Sequence, residues 1–287
     1  MIVRRAVLAI VLPAFLALAA AQENPPDQAL RPLVEEGSFA SGAAPAHPQR
    51  LRLLSYNLHG PPGHRIEEIA EVLESHPELS QSLILALQEV NRDHEKSANE
   101  HIGRLLARRL KMHFAYAAEI VHDEGGGVRG LALLSRFPLS QVTRLQLPVE
   151  GPGGRRRITL GATVDVAGRP LRVYTTHLET RISAPERAQQ IKGILEDAQR
   201  FRHLPTVVLG DFNTFAKEHT SHMFELMQEA GFSCPLDGDE NTFQSYIFIR
   251  MKLDWIWVRG VEALQAEVEG GVASSDHRPL WVDLKWQ

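Results

Sequence analysis

Cysteine is almost missing from this chain. One residue, Cys234, stands among 287, which excludes an intrachain disulfide framework and a thiolate zinc site. Basic charge is not in excess either. The 31 Lys and Arg are outnumbered by 35 Asp and Glu, for a formal charge of −4. A tight nonspecific nucleic-acid binder normally needs the opposite sign, whereas a nuclease whose bound metal supplies local positive charge is not excluded. No internal repeat of fixed period runs through the chain. The uncharged apolar run from Ala6 to about Ala20 is shorter than the roughly 20 residues of a comfortable membrane span, and Pro13 interrupts it. What remains is 44% hydrophobic, 23% charged and 7% aromatic, a globular composition rather than a disordered, collagenous or polytopic one. A chain this long can bury roughly 75% of its extended surface and needs no staples.

The first fifty residues divide in two. Arg4 and Arg5 precede the apolar run, and Ala19 and Ala21 close it in an A-x-A pattern before Gln22. This is the three-part layout of an export signal over 1–21, with an uncleaved N-terminal anchor as the alternative. Residues 22–49 carry Pro25, Pro26, Pro32, Pro45 and Pro48 among Gly, Ala and Ser, without a sustained period. They read as a flexible linker outside the fold. Export then sends one domain, 50–287, to the periplasm or the medium.

Within 50–287, apolar runs alternate with helical patterns. Leu51–Tyr56, Leu83–Leu87, Leu131–Leu134, Ile158–Val166, Leu171–Thr175, Val207–Leu209, Leu253–Val258 and Leu280–Leu284 read as strands. Ile66, Ile69, Ala70 and Leu73 fall on one helical face, as do Ile102, Leu105, Leu106 and Leu110. Further helices are expected from Pro185 to about Phe201 and over Met223–Ala230, the latter closed by Gly231. Strands outnumber helices and often follow one another directly. That predicts an α/β fold with two packed, mainly antiparallel sheets flanked by helices, a four-layer sandwich.

Polar residues cluster where these strands end: Asn57, Gln88–Glu89, His177, Asp211 and Asn213, Asp254, and Asp276–His277. Any one of them is an ordinary turn residue. Together they place acids, amides and imidazoles where ligands bind in layered α/β folds. Hard oxygen donors suit Mg²⁺, with Mn²⁺ as the alternative, over zinc. Histidines can exchange protons near neutrality, and an adjacent acid fixes an imidazole's tautomer. Carboxylate-held metal with a His–Asp pair describes metal-assisted phosphoryl hydrolysis.

The blocks SYNLHG, LALQEVNR, GLALLSRFPL, VYTTHLET, VVLGDFNT, KLDWIWVRG and SSDHRPLWV occur in this order across nearly all of 51–286, with ERAQQ from Glu186 between them. In sequence and order they resemble the endonuclease/exonuclease/phosphatase superfamily, which implies the same four-layer sandwich. The resemblance implies Glu89 as the main metal ligand, with Asn57 close by and Asp276 completing the metal-side acids. His277, held by Asp254, would activate or orient the attacking water. Asp211 and Asn213 would contact the scissile phosphate or its nucleophile, and His177 would donate to a phosphate oxygen. The base is left open between His277 and Asp211. A phosphodiester substrate is implied, nucleic acid first. A phospholipid headgroup, as in sphingomyelinase-like relatives, and a phosphomonoester or inositol phosphate are the alternatives. A monomer without a stable protein partner is expected. A non-catalytic binding module of the same fold is the reading from another class, and the intact motif set argues against it.

The sequence departs from some relatives. It carries His59 in Leu58–Gly63, where a turn residue is the favoured reading over a site contact. It lacks the long inserted loop of abasic-site endonucleases and the obvious aromatic hairpin of secreted sphingomyelinases. Tyr246-Ile247-Phe248-Ile249 is the one candidate for such a hairpin and reads better as a strand. Arg155-Arg156-Arg157 could hold a polyanion but reads first as a solvated strand start. Gly125-Gly126-Gly127 lacks the Lys-Ser/Thr of a phosphate loop and reads as a flexible loop. His219 and His222 have no obvious third ligand, which favours capping or surface exposure over zinc. Cys234 beside Pro235 reads as a structural or free thiol.

Overall fold

Leu53 and Leu54 are neighbours on one strand and belong to different cores. Successive side chains of a strand point to opposite faces, so a run that is apolar at every position belongs to a sheet covered on both sides. Val207 and Leu209 face one core and Val208 another. The computed structural model describes residues 32–41, 48–119, 126–236, 238, 240–244 and 249–286. The expected signal 1–21, most of the linker, Gly125 and Tyr246–Phe248 lie outside the described residues. From Leu33 onward the described chain forms one compact unit.

The strands and helices follow in this order: β1 (Val34–Ser38), β2 (Arg50–Asn57), α1 (Gly63–Ser75), β3 (Ile84–Arg92), α2 (Ile102–Arg109), β4 (His113–Ala118), β5 (Val128–Ser135), β6 (Leu139–Gln146), β7 (Ile158–Val166), β8 (Arg169–His177), α3 (Ala184–Arg200), β9 (Thr206–Asp211), α4 (Lys217–Glu229), β10 (Phe243–Gln244), β11 (Arg250–Met251), β12 (Asp254–Arg259), β13 (Ala263–Val268) and β14 (Leu280–Lys285). Seven strands form one sheet in the order β1-β4-β5-β3-β2-β14-β13, and five form the other as β12-β9-β8-β7-β6. Pairing is antiparallel except at β2–β3 and β8–β9. The inner core joins Leu51, Leu53 and Leu133 of the first sheet to Leu160, Val207 and Ile256 of the second. The outer face of the first sheet packs Leu54 and Tyr56 against Ile66, Ile69 and Leu106 of α1 and α2. The outer face of the second packs Tyr174, Val208 and Trp257 against Ile191, Ile194 and Met223 of α3 and α4. The four layers are therefore helix, sheet, sheet, helix, as the alternation predicts.

Local signals set the boundaries. At the start of α3 the backbone N–H of Ser183 donates to Glu186 Oε2 at 2.8 Å, one half of a complete capping box. Gly210 has φ +140°, and a Cβ there would overlap the backbone of Thr176. Glycine thus lets β9 close on β8 one residue before Asp211.

Two expectations need correction. The segment 22–49 is not linker throughout, because Val34–Ser38 pairs antiparallel with β4 at the sheet edge. The Glu35 carboxylate accepts from Arg92 Nη1 at 2.7 Å. A strand held by an edge ladder and an ion pair leaves no hydrophobic alternation to read. The strand expected to stop at Leu87 runs on through Gln88–Glu89 to Arg92. Its register against β5 slips between Leu87 and Val90, and Glu89 sits at φ +55°, the signature of a bulge. β4, β6 and β13 were not expected from the sequence; β6 and β13 are sheet edges with many exposed or half-exposed positions.

Candidate active site

The parallel pairs β2–β3 and β8–β9 end together and carry the site. Asn57 lies opposite Gln88, and His177 lies opposite Asp211. Antiparallel β12 begins at Asp254, which is in register with Asp211. The loop before β14 brings in Asp276 and His277, and His277 bridges Phe243. Each expected site residue therefore stands at the same end of the two sheets.

Contacts knit most of them together. His277 Nδ1 lies 2.8 Å from Asp254 Oδ2, and that oxygen also accepts from Thr242 Oγ1 at 2.7 Å. Thr242 Oγ1 in turn accepts the backbone N–H of Leu253 at 2.9 Å and of Asp254 at 3.0 Å. The Phe243 ring meets His277 edge-on at 5.0 Å. With Nδ1 engaged, His277 Nε2 faces Asp211 Oδ2 at 3.8 Å. Asn57 Nδ2 donates to that oxygen at 3.2 Å, and His177 Nε2 lies 3.5 Å from it. The other Asp211 oxygen accepts the Asn213 backbone N–H at 2.9 Å. Asn213 itself takes φ +50°, and its amide donates to the Leu178 carbonyl at 2.9 Å.

Two acids sit nearer solvent. Glu89 Oε1 lies 4.0 Å from His177 Nε2, while Glu89 Oε2 meets Arg129 Nη1 at 2.9 Å. Asp276 Oδ2 lies 3.2 Å from His59 Nδ1. His59 turns the chain at φ +55° and also touches the site. Asn57 Oδ1 accepts the His59 backbone N–H at 3.0 Å, and Ser275 Oγ donates to the Asn57 carbonyl at 2.8 Å, locking the last loop onto β2.

Burial and neighbouring charge set the proton affinities. Burial, then the Asp254 charge, pushes the Asp211 carboxyl up to about 7. Burial works to lower His277, but Asp254 by charge and hydrogen bond, then Asp211 and Asp276, outweigh it and hold the ring at about 10. Burial, then Arg157 and His277, keeps His177 well below the ordinary histidine value. One imidazole therefore favours the proton and the other rejects it.

Several groups here escaped the sequence reading. Arg155 and Arg157 are not a solvated strand start. Residues 155 and 157 share one face and turn inward onto Glu179, at 2.6 Å and 3.2 Å. Arg156 turns outward to Glu150. The period-2 spacing was the available signal. Thr242, Arg129 and Glu119 carried none. His219 lies in α4 with Nδ1 toward Arg187 Nη1. The Arg187 guanidinium also donates to the carbonyls of Glu179 and Thr180 and so staples the loop after His177. Gly126 and Gly127 make a left-handed bend, and Cys234 packs half-buried against the inner core.

Asp211, Asp254 and His277 offer ligand atoms within 4.8 Å of one another, the one such group among the described residues. Asp254 Oδ2 is already engaged by Thr242 and His277. Glu89 and Asp276 present hard donors nearer solvent, and Glu89 already attracts a guanidinium, while the Asn57 amide oxygen beside them is buried and accepts the His59 backbone N–H. That donor chemistry fits a small divalent cation.

A two-sheet sandwich with carboxylates, amides and a His–Asp pair gathered at one end defines a hydrolase of the layered α/β class. The chain belongs to the Endonuclease/Exonuclease/phosphatase family, whose model matches residues 54–277, and members of that family are typically dependent on a divalent metal. Solved structures share the fold. An endonuclease/exonuclease/phosphatase from Beutenbergia cavernae is 21% identical with a TM-score of 0.69, covering 83% of this chain and 72% of its own. The human Nocturnin catalytic domain, solved with a bound sulfate anion, is 20% identical with a TM-score of 0.66, over 85% and 96% of the two chains. D. rerio TDP2, complexed with a single-strand DNA product, is 17% identical with a TM-score of 0.65, over 83% and 99%. A search of curated proteins found no match.

Proposed function

We propose that this chain is an exported, Mg²⁺-dependent phosphodiesterase of the nuclease kind. The observation that carries the reading is the convergence of Asp211 with both His277 and His177, each ring nitrogen within 3.8 Å of one carboxylate oxygen. His277 donates Nδ1–H to Asp254, which leaves Nε2 to meet the attacking water. Asp211 and His277 lie close enough to hold the water's proton as a pair, so the base is the pair rather than either group alone. His177 and Asn213 face the place of the phosphate and contribute hydrogen bonds to its oxygens. A divalent cation on Glu89 and Asp276, with Asn57 beside them, would polarise a phosphoryl oxygen and offset the acids when bound. Export rests on the pattern of residues 1–21.

Nucleic acid is the preferred substrate because Phe215, two residues beyond Asn213, is 53% exposed and offers a ring on which a base can stack. The second reading, a phospholipid headgroup, draws on exposed Ile249, an apolar side chain beside the strands that frame Thr242. The test is turnover of bis(p-nitrophenyl) phosphate, plasmid DNA, RNA, sphingomyelin and inositol phosphates, with Mg²⁺ and then with EDTA. DNA or RNA cleavage that EDTA abolishes is expected. Absence of metal-dependent turnover on the whole panel returns the chain to the class of binding modules.

A further inference from the structure

We propose that Arg157 is a positioning residue that fixes His177 as the Nε2–H tautomer, making His177 a one-way donor toward the substrate. The proposal deepens the phosphodiesterase reading and rests on it for the identity of the acceptor. Arg157 Nη1 lies 3.2 Å from His177 Nδ1. A guanidinium carries N–H donors only, has no acceptor, and keeps its charge in proteins. The ring nitrogen facing it therefore holds a lone pair, and the ring proton sits on Nε2. Nε2 points at Asp211 Oδ2 and Glu89 Oε1, at 3.5 Å and 4.0 Å, where the reading above places the phosphate. A proton on Nδ1 would set N–H against N–H.

The guanidinium is held where it can do this. Its Nη1 meets both Glu119 oxygens, at 3.3 Å and 3.4 Å, and its Nε meets Glu179 Oε2 at 3.2 Å. Glu179 is itself gripped by Arg155 through two bonds of 2.6 Å and 2.8 Å and by the Arg181 backbone N–H at 3.1 Å. All three core members, Glu119, Arg157 and Glu179, are buried. Glu119 follows β4 of one sheet, while Arg157 precedes β7 and Glu179 follows β8 of the other. The clamp thus spans the sandwich just behind His177. A buried cation that donates to an imidazole would be a poor structural choice on its own, since a charge taken out of water without a counter-charge is destabilising. Two acids offset that cost and leave one N–H for the ring. His277 is arranged in the opposite sense, with Nδ1–H toward an acceptor, Asp254.

The tautomer is measurable in the parent protein. Full-length protein with ¹⁵N-labelled histidine, assigned against His177→Asn, should show for residue 177 a protonated Nε2 and an unprotonated Nδ1, with and without Mg²⁺. A protonated Nδ1 would overturn the proposal, whatever the fate of any variant. Arg157→Gln offers an amide oxygen that accepts Nδ1–H, so the tautomer should shift and kcat should fall by roughly 10² while KM stays within about threefold, the loss of one transition-state donor. Arg157→Lys keeps a donor and should restore the parent tautomer and at least a tenth of kcat. Folded Arg157→Gln with parent kcat, or Arg157→Lys no better than Arg157→Gln, would also overturn it. If the parent cleaves no phosphodiester, the functional reading falls while the tautomer measurement still decides the role of Arg157.

Discussion

Asp254 Oδ2 serves two donors at once, Thr242 Oγ1 and His277 Nδ1. Asp254→Asn keeps the shape and removes the charge that holds the His277 ring near 10. Its kcat is expected to fall by roughly 10⁴, as when an orienting acid becomes an amide, with the circular dichroism spectrum unchanged. Parent turnover in this variant would displace His277 from the chemistry. Glu179 offers a second test through pH. Burial works to raise its carboxyl, but Arg155 and Arg157 outweigh it and hold it at about 2, below the ordinary 4.5. A carboxylate depressed in the folded state stabilises fully above its unfolded value and loses that contribution as pH falls toward its folded one. The parent should therefore lose stability between pH 4.5 and about 2 more steeply than Glu179→Gln, and at pH 7 the variant should be less stable by roughly 3 kcal/mol, the cost of breaking a buried pair. Urea titrations at several pH values measure both. Asp254 and His277 were legible in the sequence because each borders an apolar strand, the first opening DWIWV and the second standing in SSDHRPLWV. Glu179 and Arg157 were not, because a charge next to a strand end reads as solvated until its partner across the sheets is known.

Elements differ in how far their own residues announce them. β9 carries the unbroken apolar run Val207–Leu209 and declares burial on both faces, while β7 declares itself by strict alternation, Ile158, Leu160, Ala162, Val164 and Val166 facing the inner core. β3 declares only its first half, because a bulge at Gln88–Glu89 interrupts the alternation where Glu89 turns to the site at φ +55°. β1 declares nothing, since its hold on the domain is a backbone ladder and the Glu35 carboxylate. That carboxylate meets Arg92 Nη1 at 2.7 Å, His101 Nε2 at 3.4 Å and Arg104 Nη2 at 3.5 Å. Removing residues 1–40 should strip the ladder from β4 and expose an edge prone to pair with another chain. The truncated protein is expected to melt lower and to form oligomers visible by light scattering. Glu35→Ala in the full chain keeps the ladder and should cost roughly 3 kcal/mol through loss of the carboxylate at the buried guanidinium, while staying monodisperse. Equal light scattering from the two proteins would assign the edge protection to something other than β1.

Across the whole molecule the formal charge is −4, and that figure hides its arrangement. Basic residues face acids over much of the surface, as Arg109 does with Glu67 and Glu74. At the active end, Glu89, Asp211, Asp254 and Asp276 converge with two histidines and Arg129. The order of the sequence blocks made this convergence legible, because each block ends a strand and layered folds bring strand ends together. The counter-charge Arg129 was not legible, since it arrives from β5, whose neighbours only the topology reveals, and Arg157, just before β7, offered only its period-2 spacing with Arg155. A cluster so acidic should gain from a divalent cation, and the gain is measurable without catalysis. At Mg²⁺ about 100 times its Kd, binding to the folded state alone adds about 2.7 kcal/mol. For a domain of this size that raises the melting midpoint by roughly 5–10 °C. Glu89→Gln removes a proposed ligand and should abolish most of the rise. Asp165→Asn, remote in sequence at an exposed position near the end of β7, should keep it. A midpoint indifferent to Mg²⁺ in the parent, together with phosphodiester turnover that survives EDTA, would take the metal out of the mechanism and leave Arg129 as the cation facing Glu89.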